Sequence, residues 1–377
     1  GALYSEGYYS GSVQVSVDGR EAADLSLISP PERVREVVIT VEPGRQFRFS
    51  LAEVSPRPPD TTLPAGYARG EIARVGAIRQ AGRTGVQGWR AAGHAKADLA
   101  EQNIVANHPR AQLSSELRIA PGPRLRFGPL AVTGNERVRT NRIVAIAGLP
   151  EGDVYDPEEL DDAAERLRRT GAFRAITLAE AEEVGPGDLL GIEAQLVEEA
   201  PRRIGGGAEV SSTEGVSVTA YWMHRNLFGG AENLRFDFEA RNIGSTAEDN
   251  GVDYRLSGRL RRPATPFPDV DAEFGFEISR EDEPGYLADT AQAGFGATWY
   301  YSDRLELYGA LQYRFSDVED AFGQREFQML VFPVRATWDT RDVELDPTRG
   351  TFLNARARPF VGVDGIENGA QVTADAR

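Results

Sequence analysis

The sequence predicts small α+β repeats followed by an antiparallel transmembrane β-barrel, of which about ten strands are present. Three observations indicate this fold class. A strand–Pro-Gly–strand pattern recurs in the first half, apolar and charged residues alternate from Arg203 onward, and the alternating segments are about nine to thirteen residues long. Soluble strands average about five to six residues, whereas a tilted membrane strand needs about nine to eleven.

Composition excludes several classes of function. The 377 residues include no Cys, so disulfides and thiol-based metal or nucleophile sites are excluded. The three histidines lie far apart, and their spacing does not suit zinc. The net charge of -16 argues against a nucleic-acid partner, because such proteins concentrate Lys and Arg. The sequence also lacks the run of about eighteen apolar residues that predicts a transmembrane helix.

The last repeat has the clearest order of elements. Its first strand is predicted in LRFGPLAVTG, and residues 141–149 predict a short helix that Gly148 ends. Asp156 can cap a second helix whose first position is Pro157, where a missing N–H costs nothing. Two strands within 173–199 complete a unit with the order β-α-α-β-β.

Two earlier copies follow the same order. The motifs VEPGRQFRF and APGPRLRF place Pro43 and Pro121 at equivalent positions, 78 residues apart. In the middle copy, EIARVGAIRQAG and VQGWRAAG predict two separate helices, and a hairpin around NHPR follows. The first copy begins only at the end of its second helix. Each copy leaves one sheet edge exposed, which can pair with an extended guest chain.

These patterns divide the chain into four predicted regions. They are a partial repeat at 1–45, a second repeat at 46–123, a third repeat at 124–202, and the N-terminal part of the barrel at 203–377. The predicted barrel strands are 203–211, 215–226, 231–242, 251–261, 270–280, 289–301, 304–316, 326–339, 350–362 and 369–377.

Each predicted barrel strand has one apolar and one charged face. In 231–242, for example, Leu234, Phe236 and Phe238 alternate with charged residues. Aromatic residues also lie near strand ends, where the girdles of membrane barrels form. They are Trp222, Trp299, Tyr300, Tyr301 and Trp338. A soluble β-sandwich has alternating strands too, but the strand length and the aromatic residues favour the barrel.

The connections between strands form two sets. One set, which includes NLFGGAEN and RPATPFPD, contains Pro, Gly and Asn. The other set is acidic and comprises GSTAEDN, REDEPGY, DVEDAFG and DGIEN. Because the repeats enter the first barrel strand from their own side, we predict the first set on the repeat side and the acidic set on the opposite side.

The stretch WDTRDVELDPTRGTF is the strongest candidate for a metal or catalytic site. Four carboxylates fall within 339–346. However, the stretch lacks the regular acidic spacing and central Gly of a calcium loop, and no nucleophile accompanies the carboxylates. Pro347 and Gly350 are instead typical of a turn. We therefore predict a turn held by Asp–Arg pairs, with no catalytic group, metal or cofactor.

Two turn sequences carry a resemblance to a known family. One is the run Arg225, Asn226, Leu227, Phe228, Gly229 and Gly230. The other is Asp339-x-Arg341 followed by Pro347 and Gly350. Both resemble turn motifs of the Omp85 outer-membrane assembly superfamily. The repeats resemble the POTRA domains of this superfamily, which are periplasmic modules. Three such units before a barrel are most similar to the TamA-like branch, whose members assemble autotransporters, and the similarity covers essentially the whole chain.

The resemblance implies a location in the outer membrane of a Gram-negative bacterium, with the POTRA units in the periplasm. It implies a factor that inserts or secretes β-barrel proteins such as autotransporters. Because the sequence shows no catalytic constellation, we also predict that the chain is not an enzyme. The implied partners are unfolded β-barrel clients, outer-membrane lipid and an inner-membrane-anchored partner that spans the periplasm. A two-partner secretion pore of the same superfamily and a passive outer-membrane channel are the alternatives.

The resemblance also implies a lateral seam between the first and last barrel strands, which would offer a second edge to a client. The candidate seam strand contains Gly205, Gly206, Gly207 and Ala208. A glycine run weakens packing and pairing, which suits either a seam that separates or a flexible junction between POTRA unit and barrel. Because the family barrel has more strands than the ten predicted here, we expect the chain to be a fragment.

Overall fold

The computed structural model describes residues 2–25, 33–246, 251–363 and 366–377. The chain divides into two compact units. The first comprises Gly1–Gly128, Glu151–Glu159 and Glu183–Leu190, and the second comprises Pro129–Pro150, Leu160–Glu182 and Gly191–Arg377. Among the described residues, no helix is long and apolar enough to cross a membrane.

The first unit contains two small sheets. Its elements up to residue 120 are α1 (Ala2–Ser5), β1 (Ser12–Val17), β2 (Arg20–Glu21), a 3-10 turn (Ala22–Asp24), β3 (Val37–Glu42), β4 (Arg48–Ser55), α2 (Val75–Ala91), β5 (Asp98–Asn107) and β6 (Gln112–Ala120). Strands β1 and β3 pair antiparallel, as predicted for the partial first repeat. Strands β4, β6 and β5 form the second sheet in that order, with β4 parallel to β6.

The prediction of two helices in the middle repeat is wrong, because a single helix, α2, runs from Val75 to Ala91. The glycines that suggested a break lie inside this helix. A Cβ at Gly85 would approach Cγ1 of Val54 to 2.7 Å, and a Cβ at Gly88 would overlap Thr61. These glycines therefore let the helix lie close to its neighbours. The described order in this repeat is β-α-β-β.

The core of the middle repeat lies between α2 and the sheet of β4, β6 and β5. Its largest fully buried side chains are Phe47, Phe49, Leu113 and Leu117. The alternating burial of β6 places Leu113, Leu117 and the buried Ser115 on the same face. The hydroxyl groups of Tyr67 and Ser115 lie 3.0 Å apart, so the buried Ser115 side chain is hydrogen-bonded.

The last repeat has the predicted β-α-α-β-β order. Its elements are β7 (Arg126–Thr133), α3 (Thr140–Ala147), α4 (Pro157–Arg169), β8 (Phe173–Gly185) and β9 (Leu189–Glu198), and the strand order in the sheet is β7-β9-β8. Gly148 ends α3 in the left-handed conformation, with φ of 62°. Asp156 Oδ1 accepts a hydrogen bond of 3.0 Å from the N–H of Glu158 at the start of α4.

An 11-stranded antiparallel sheet follows and confirms the predicted fold class. Its strands are β10 (Arg202–Ser211), β11 (Gly215–Arg225), β12 (Asn233–Ile243), β13 (Asp253–Arg262), β14 (Val270–Glu283), β15 (Tyr286–Ser302), β16 (Leu305–Asp320), β17 (Gly323–Val331), β18 (Val334–Asp339), β19 (Phe352–Gly362) and β20 (Gly369–Ala376). The predicted strand at 326–339 is divided into β17 and β18, because Pro333 has no N–H for the ladder. Both pieces pair with β16 and β19.

The two faces of this large sheet differ as the alternation predicted. Cross-strand partners on the apolar face form a continuous row from β12 to β16: Leu234, Leu260, Phe274, Phe295 and Leu311. The opposite face carries ion pairs. Arg255, for example, lies 3.7 Å from Glu239, 3.8 Å from Glu277 and 3.5 Å from Glu281. One face is thus suited to lipid and the other to a polar interior.

Two of the four predicted acidic connections lie largely within strands. REDEPGY joins β14 and β15 through a turn at Pro284 and Gly285, and DVEDAFG joins β16 and β17 through residues 321–322. The acidic side chains therefore continue the ladder beyond the predicted strand ends. The connections GSTAEDN and DGIEN include positions outside the described residues.

Candidate functional site

Within the second unit, turns of the large sheet pack into the hydrophobic core of the last repeat. Ala231 and Ala264 belong to two different turns and are both buried in that core, together with Ile143, Ile146 and Leu167. Both alanines have positive φ, 61° and 46°. A non-glycine residue adopts such a backbone only where its surroundings enforce it. The repeat and the sheet turns therefore share one core.

The first of these turns contains the predicted motif at 225–230. Asn226, with φ of 76°, accepts a hydrogen bond of 3.0 Å from the N–H of Ala231 through Oδ1. Gly229 has φ of 80°, and its carbonyl accepts the N–H of Arg139 at 2.9 Å. Arg225 Nη1 donates to the carbonyl of Ala200 at 2.9 Å. The motif therefore fixes the sheet to the start of α3 and to the segment that precedes β10.

Glu232 holds this turn closed, although the sequence analysis did not identify it. Its side chain is only 3% exposed, and Oε2 accepts the N–H of Phe228 at 3.1 Å and that of Gly230 at 2.9 Å. A Cβ at Gly230 would overlap this carboxylate, which explains the glycine at that position. The signal available in the sequence was a carboxylate two residues after a Gly-Gly pair.

The second turn, at 263–269, is held by a carboxylate that two arginines bind. Arg166 donates to both oxygens of Asp269, at 2.8 and 3.0 Å, and Arg169 donates to Oδ1 at 3.3 Å. Arg166 is 9% exposed and also donates to the carbonyl of Ala147 at 3.1 Å. The guanidinium of Arg169 lies 4.0 Å from the ring centre of Tyr300.

Burial raises the pKa of Asp269, but the hydrogen bonds and charge of Arg166, followed by those of Arg169, outweigh burial and hold that pKa below its usual value. The carboxylate is therefore ionised at neutral pH and compensates the buried guanidinium of Arg166. Sequence analysis missed both residues. A signal for Arg166 existed, because it follows Ala163 by three positions on the apolar side of α4.

The acidic stretch after Trp338 forms a turn in which the carboxylates of Asp339 and Asp342 accept hydrogen bonds from other residues of the same turn. Arg341 donates to Asp339 Oδ1 at 2.9 Å and to Oδ2 at 2.6 Å, which is the predicted Asp–Arg pair. Asp342 accepts from the hydroxyl of Thr348 at 2.5 Å and from the backbone N–H groups of Val343, Thr348 and Arg349. The bonds from Thr348 and then Arg349 lower the pKa of Asp342 to about 2.

The two turn motifs thus make separate sets of contacts. The motif at 225–230 contacts the last repeat, whereas the bonds just described at 339–349 stay inside their own turn. Pro347 lies in this turn, and Gly350 adopts φ of 99°. Among the described residues, no group of three Asp, Glu or His side chains could hold a metal ion.

The candidate seam strand β10 is an edge of the large sheet. Gly205, Gly206 and Gly207 pair only with β11 among the described strands, and Ala208 lies opposite Val218. A Cβ at Gly205 would overlap the ring of Tyr221, so the glycine allows a close approach of that ring. The role of β10 as a seam stays a prediction.

Glu198 fixes the loop that leads into α3. Its Oε1 accepts the N–H groups of Glu136, Arg137 and Val138 at 2.9, 2.8 and 2.8 Å. Burial raises the pKa of Glu198, but the three backbone hydrogen bonds together outweigh burial and leave the pKa below its usual value. The ionised carboxylate therefore stabilises the folded loop.

We expect Glu198→Gln to lower the urea midpoint of unfolding, and this difference from wild type to depend on pH. Because the folded-state pKa is depressed, the contribution is fully present above the unfolded pKa of about 4.3. It is lost as the pH falls through the folded-state value. Midpoints measured in detergent at pH 6 and at lower pH test this expectation. Glu193→Gln, at an exposed position of the same strand, is the control; an equal pH dependence there would contradict the prediction.

Comparisons with known proteins agree with this architecture. The family model described as "POTRA: Surface antigen variable number repeat" matches residues 125–188, inside the predicted third repeat. The outer membrane protein assembly factor BamA of Neorickettsia risticii is 21% identical over 317 residues, which are 81% of this chain and 41% of that protein. The BamA of Nitratidesulfovibrio vulgaris is 25% identical over 237 residues, which are 59% of this chain and 28% of that protein.

Solved structures share the fold over most of the chain. BamA from Haemophilus ducreyi lacking POTRA domains 1-3 superposes with a TM-score of 0.64 at 14% identity, over 88% of this chain and 66% of that chain. The chain is therefore similar to members of the Omp85 superfamily in its last repeat and in its fold. CdiB from Acinetobacter baumannii is also similar, with a TM-score of 0.52 at 11% identity, over 83% of this chain and 58% of that chain.

The similarity to the Omp85 superfamily confirms the predicted resemblance and the predicted location. The large sheet lies in the outer membrane, and the POTRA units lie in the periplasm. The chain spans less than half the length of the two curated relatives. The TamA-like branch and the domain boundaries predicted from the sequence stay predictions.

Proposed function

We propose that this chain is part of an outer-membrane factor that inserts or translocates β-barrel proteins. The observation that supports the proposal most directly is the edge strand β10, which carries three consecutive glycines beside the last POTRA unit. The curated relatives, which are named outer membrane protein assembly factors, support the same activity.

The proposed mechanism is strand addition at two kinds of edge. The outer edge of β10 presents backbone donors and acceptors, and pairing through the backbone asks little of the sequence of the client. The glycine run gives β10 few side-chain contacts across the ladder, so a paired client can be released. Strand β5 of the middle POTRA unit is a second edge, and its Ile104 and Val105 are exposed.

The finer parts of the proposal concern clients and partners. We propose unfolded outer-membrane β-barrel proteins, including autotransporters, as clients, and an inner-membrane-anchored protein that spans the periplasm as a partner. Because strand pairing and client folding supply the free energy, the proposed activity requires no enzymatic step and no cofactor. A two-partner secretion pore and a passive channel are the competing functions.

A single introduced cysteine tests the proposal, because the chain has none of its own. The full-length protein would carry Ala208→Cys in β10 or, as matched control, Val218→Cys. Val218 is the cross-strand partner of Ala208, one strand further from the edge. A client barrel protein with one cysteine in its last strand would be added under oxidising conditions.

We expect a disulfide between client and Ala208→Cys and none with Val218→Cys, since directly opposite strand residues lie about 4.5–5.5 Å apart. Capture of a secreted substrate that forms no barrel would instead favour the secretion pore. Ion conductance without capture of either protein would favour the passive channel.

A further inference from the structure

A group of arginines lies where the large sheet meets the last POTRA unit. Arg139, the residue before α3, and Arg142 of α3 lie against the turn at 225–230. A Cβ at Gly229 would be 3.3 Å from Nε of Arg139, and a Cβ at Gly230 would be 3.3 Å from Nε of Arg142. Arg142 Nη2 also donates to the carbonyl of Pro263 at 2.6 Å, and Arg262 is the residue before that proline. We refer to Arg139, Arg142 and Arg262 as the arginine rim.

The position of Arg262 on β13 places the rim at the edge of the lipid-facing surface. Side chains alternate along a strand, so Arg262 shares the apolar face with Leu256 and Leu260. Leu260 belongs to the continuous apolar row, opposite Leu234 and Phe274. Arg262 is thus the first charged residue beyond the apolar band at its POTRA-side end, where the periplasmic lipid head groups begin.

The rim arginines outnumber the carboxylate that lies beside them: the charge of Glu232 opposes the lowering of the Arg142 pKa, but it is one negative charge against three positive charges. None of its three arginines forms a salt bridge within the described part of the chain, and the oxygen Oε2 of nearby Glu232 is occupied by two backbone N–H groups. The Nε of Arg142 is buried without a hydrogen-bond partner among the described residues. Burial, followed by the charge of Arg262, lowers the pKa of Arg142. In a chain of net charge -16, this local concentration of positive charge indicates a binding site for an anion from outside the chain.

Two exposed aromatic side chains flank the rim. Phe228 and Phe267 stand at the tips of the two turns that pack on the repeat, and they are 64% and 67% exposed. Exposed Phe side chains beside basic residues are typical of surfaces that lie in the boundary between head groups and acyl chains. An acidic soluble partner protein would bind the arginines, but such a partner does not explain why exposed Phe rings lie at the end of an apolar band.

We propose that the arginine rim, with Phe228 and Phe267, binds the phosphate head groups of anionic phospholipids in the periplasmic leaflet of the outer membrane. The occupant follows from position, because the leaflet surrounds the apolar band and ends at the height of the rim. The inference rests on the membrane location of the chain and not on the proposed assembly activity, so either can fail without the other.

The test measures lipid retained by the whole chain. The protein would be reconstituted in nanodiscs of phosphatidylcholine with a minor fraction of phosphatidylglycerol, released into mild detergent and examined by native mass spectrometry. Arg262→Gln is the main variant, since Arg262 is exposed and forms no ion pair among the described residues, so folding is not at risk. Arg259→Gln removes the same charge from the opposite face of the same strand.

We expect Arg262→Gln to lower the ratio of retained phosphatidylglycerol to phosphatidylcholine about fivefold, and Arg259→Gln to leave it unchanged. The double variant Phe228→Ser and Phe267→Ser should reduce retention of both lipids. Equal ratios in wild type and Arg262→Gln would overturn the proposal. So would displacement of the lipid by inorganic phosphate at millimolar concentration, because the site would then bind a free anion.

Discussion

Asp269→Ala is expected to raise the hydrogen-exchange rate of helix α4 about a hundredfold. The substitution leaves the guanidinium of Arg166, which is 9% exposed, without the carboxylate that binds it through two hydrogen bonds. Removing one partner of a buried ion pair costs about 3–5 kcal/mol. We expect the lower end, about 3 kcal/mol, because Asp162 lies 4.0 Å from Arg166 and can compensate in part.

The measurement is hydrogen exchange of peptides that cover residues 157–169, read by mass spectrometry, since local opening sets the exchange rate there. Arg168→Ala is the matched control on the same helix. Arg168 is exposed and pairs with Glu165 three residues away, and such surface pairs contribute about 0.2–1 kcal/mol. If Asp269→Ala changed exchange no more than Arg168→Ala, the Asp269 contact would not be what holds α4 to the sheet turn.

A double variant distinguishes two effects on stability: the loss of the ion pair, and the cost of a buried charge that has no partner. Arg166→Met with Asp269→Leu removes both charges and keeps apolar volume at the contact. Replacement of a buried pair by apolar residues is often neutral or stabilising. We therefore expect slower exchange of α4 in the double variant than in Asp269→Ala alone.

The large sheet could be predicted from the sequence because its signal is local. Alternation within a segment such as 231–242 already specifies which side chains share a face, and the structure has β12 at Asn233–Ile243. The division at Pro333 was missed because apolar alternation continues across it. The missing N–H of one residue interrupts the ladder without changing the pattern of side chains.

The single helix of the middle repeat shows where local signals mislead. Gly82, Gly85 and Gly88 lower helix propensity, so the sequence favoured two short helices. What decides the outcome is packing: Gly85 allows the helix to lie against Val54 and Ile119. Packing against residues more than thirty positions away is not visible in a local window.

The candidate site shows the same difference between short-range and long-range signals. The turn motifs at 225–230 and 339–350 were identified because their glycines and short-range pairs lie within a few residues of each other. Arg166 and Asp269 were missed because 103 positions separate them. A buried arginine on the apolar side of a helix indicates that a partner exists, but only the fold identifies that partner.

Gly350→Ala is expected to open the turn between β18 and β19, because a Cβ there has no room. Gly350 has φ of 99°, and a Cβ would overlap the carbonyl oxygen of Thr340. The same carbonyl region is held in place, since the N–H of Thr340 donates to Thr351 O at 2.9 Å and Thr351 donates back to Thr340 Oγ1 at 2.8 Å. The backbone must therefore shift and lose these bonds.

The control for this substitution is Gly323→Ala. Gly323 has nearly the same φ, 102°, but a Cβ there would meet nothing within 4 Å. Gly323→Ala therefore measures the cost of the left-handed backbone alone, about 1–2 kcal/mol. The lower conformational entropy of the unfolded alanine chain offsets about 0.4–1 kcal/mol of this cost. We expect Gly350→Ala to cost at least about 2 kcal/mol more than Gly323→Ala, because the overlap adds to that backbone cost.

Trypsin provides the measurement, since Arg341 lies inside the turn and donates three side-chain hydrogen bonds, two to Asp339 and one to the carbonyl of Glu344. While the turn is closed, this side chain is held and cleavage after it is slow. A further 2 kcal/mol of opening corresponds to about thirtyfold faster cleavage after Arg341 when opening is rapid and reversible. Gly323→Ala should leave that rate nearly unchanged. Equal cleavage rates in the two variants would mean that Gly350 supplies only its backbone conformation, and that the close approach of Thr340 does not explain the glycine of this motif.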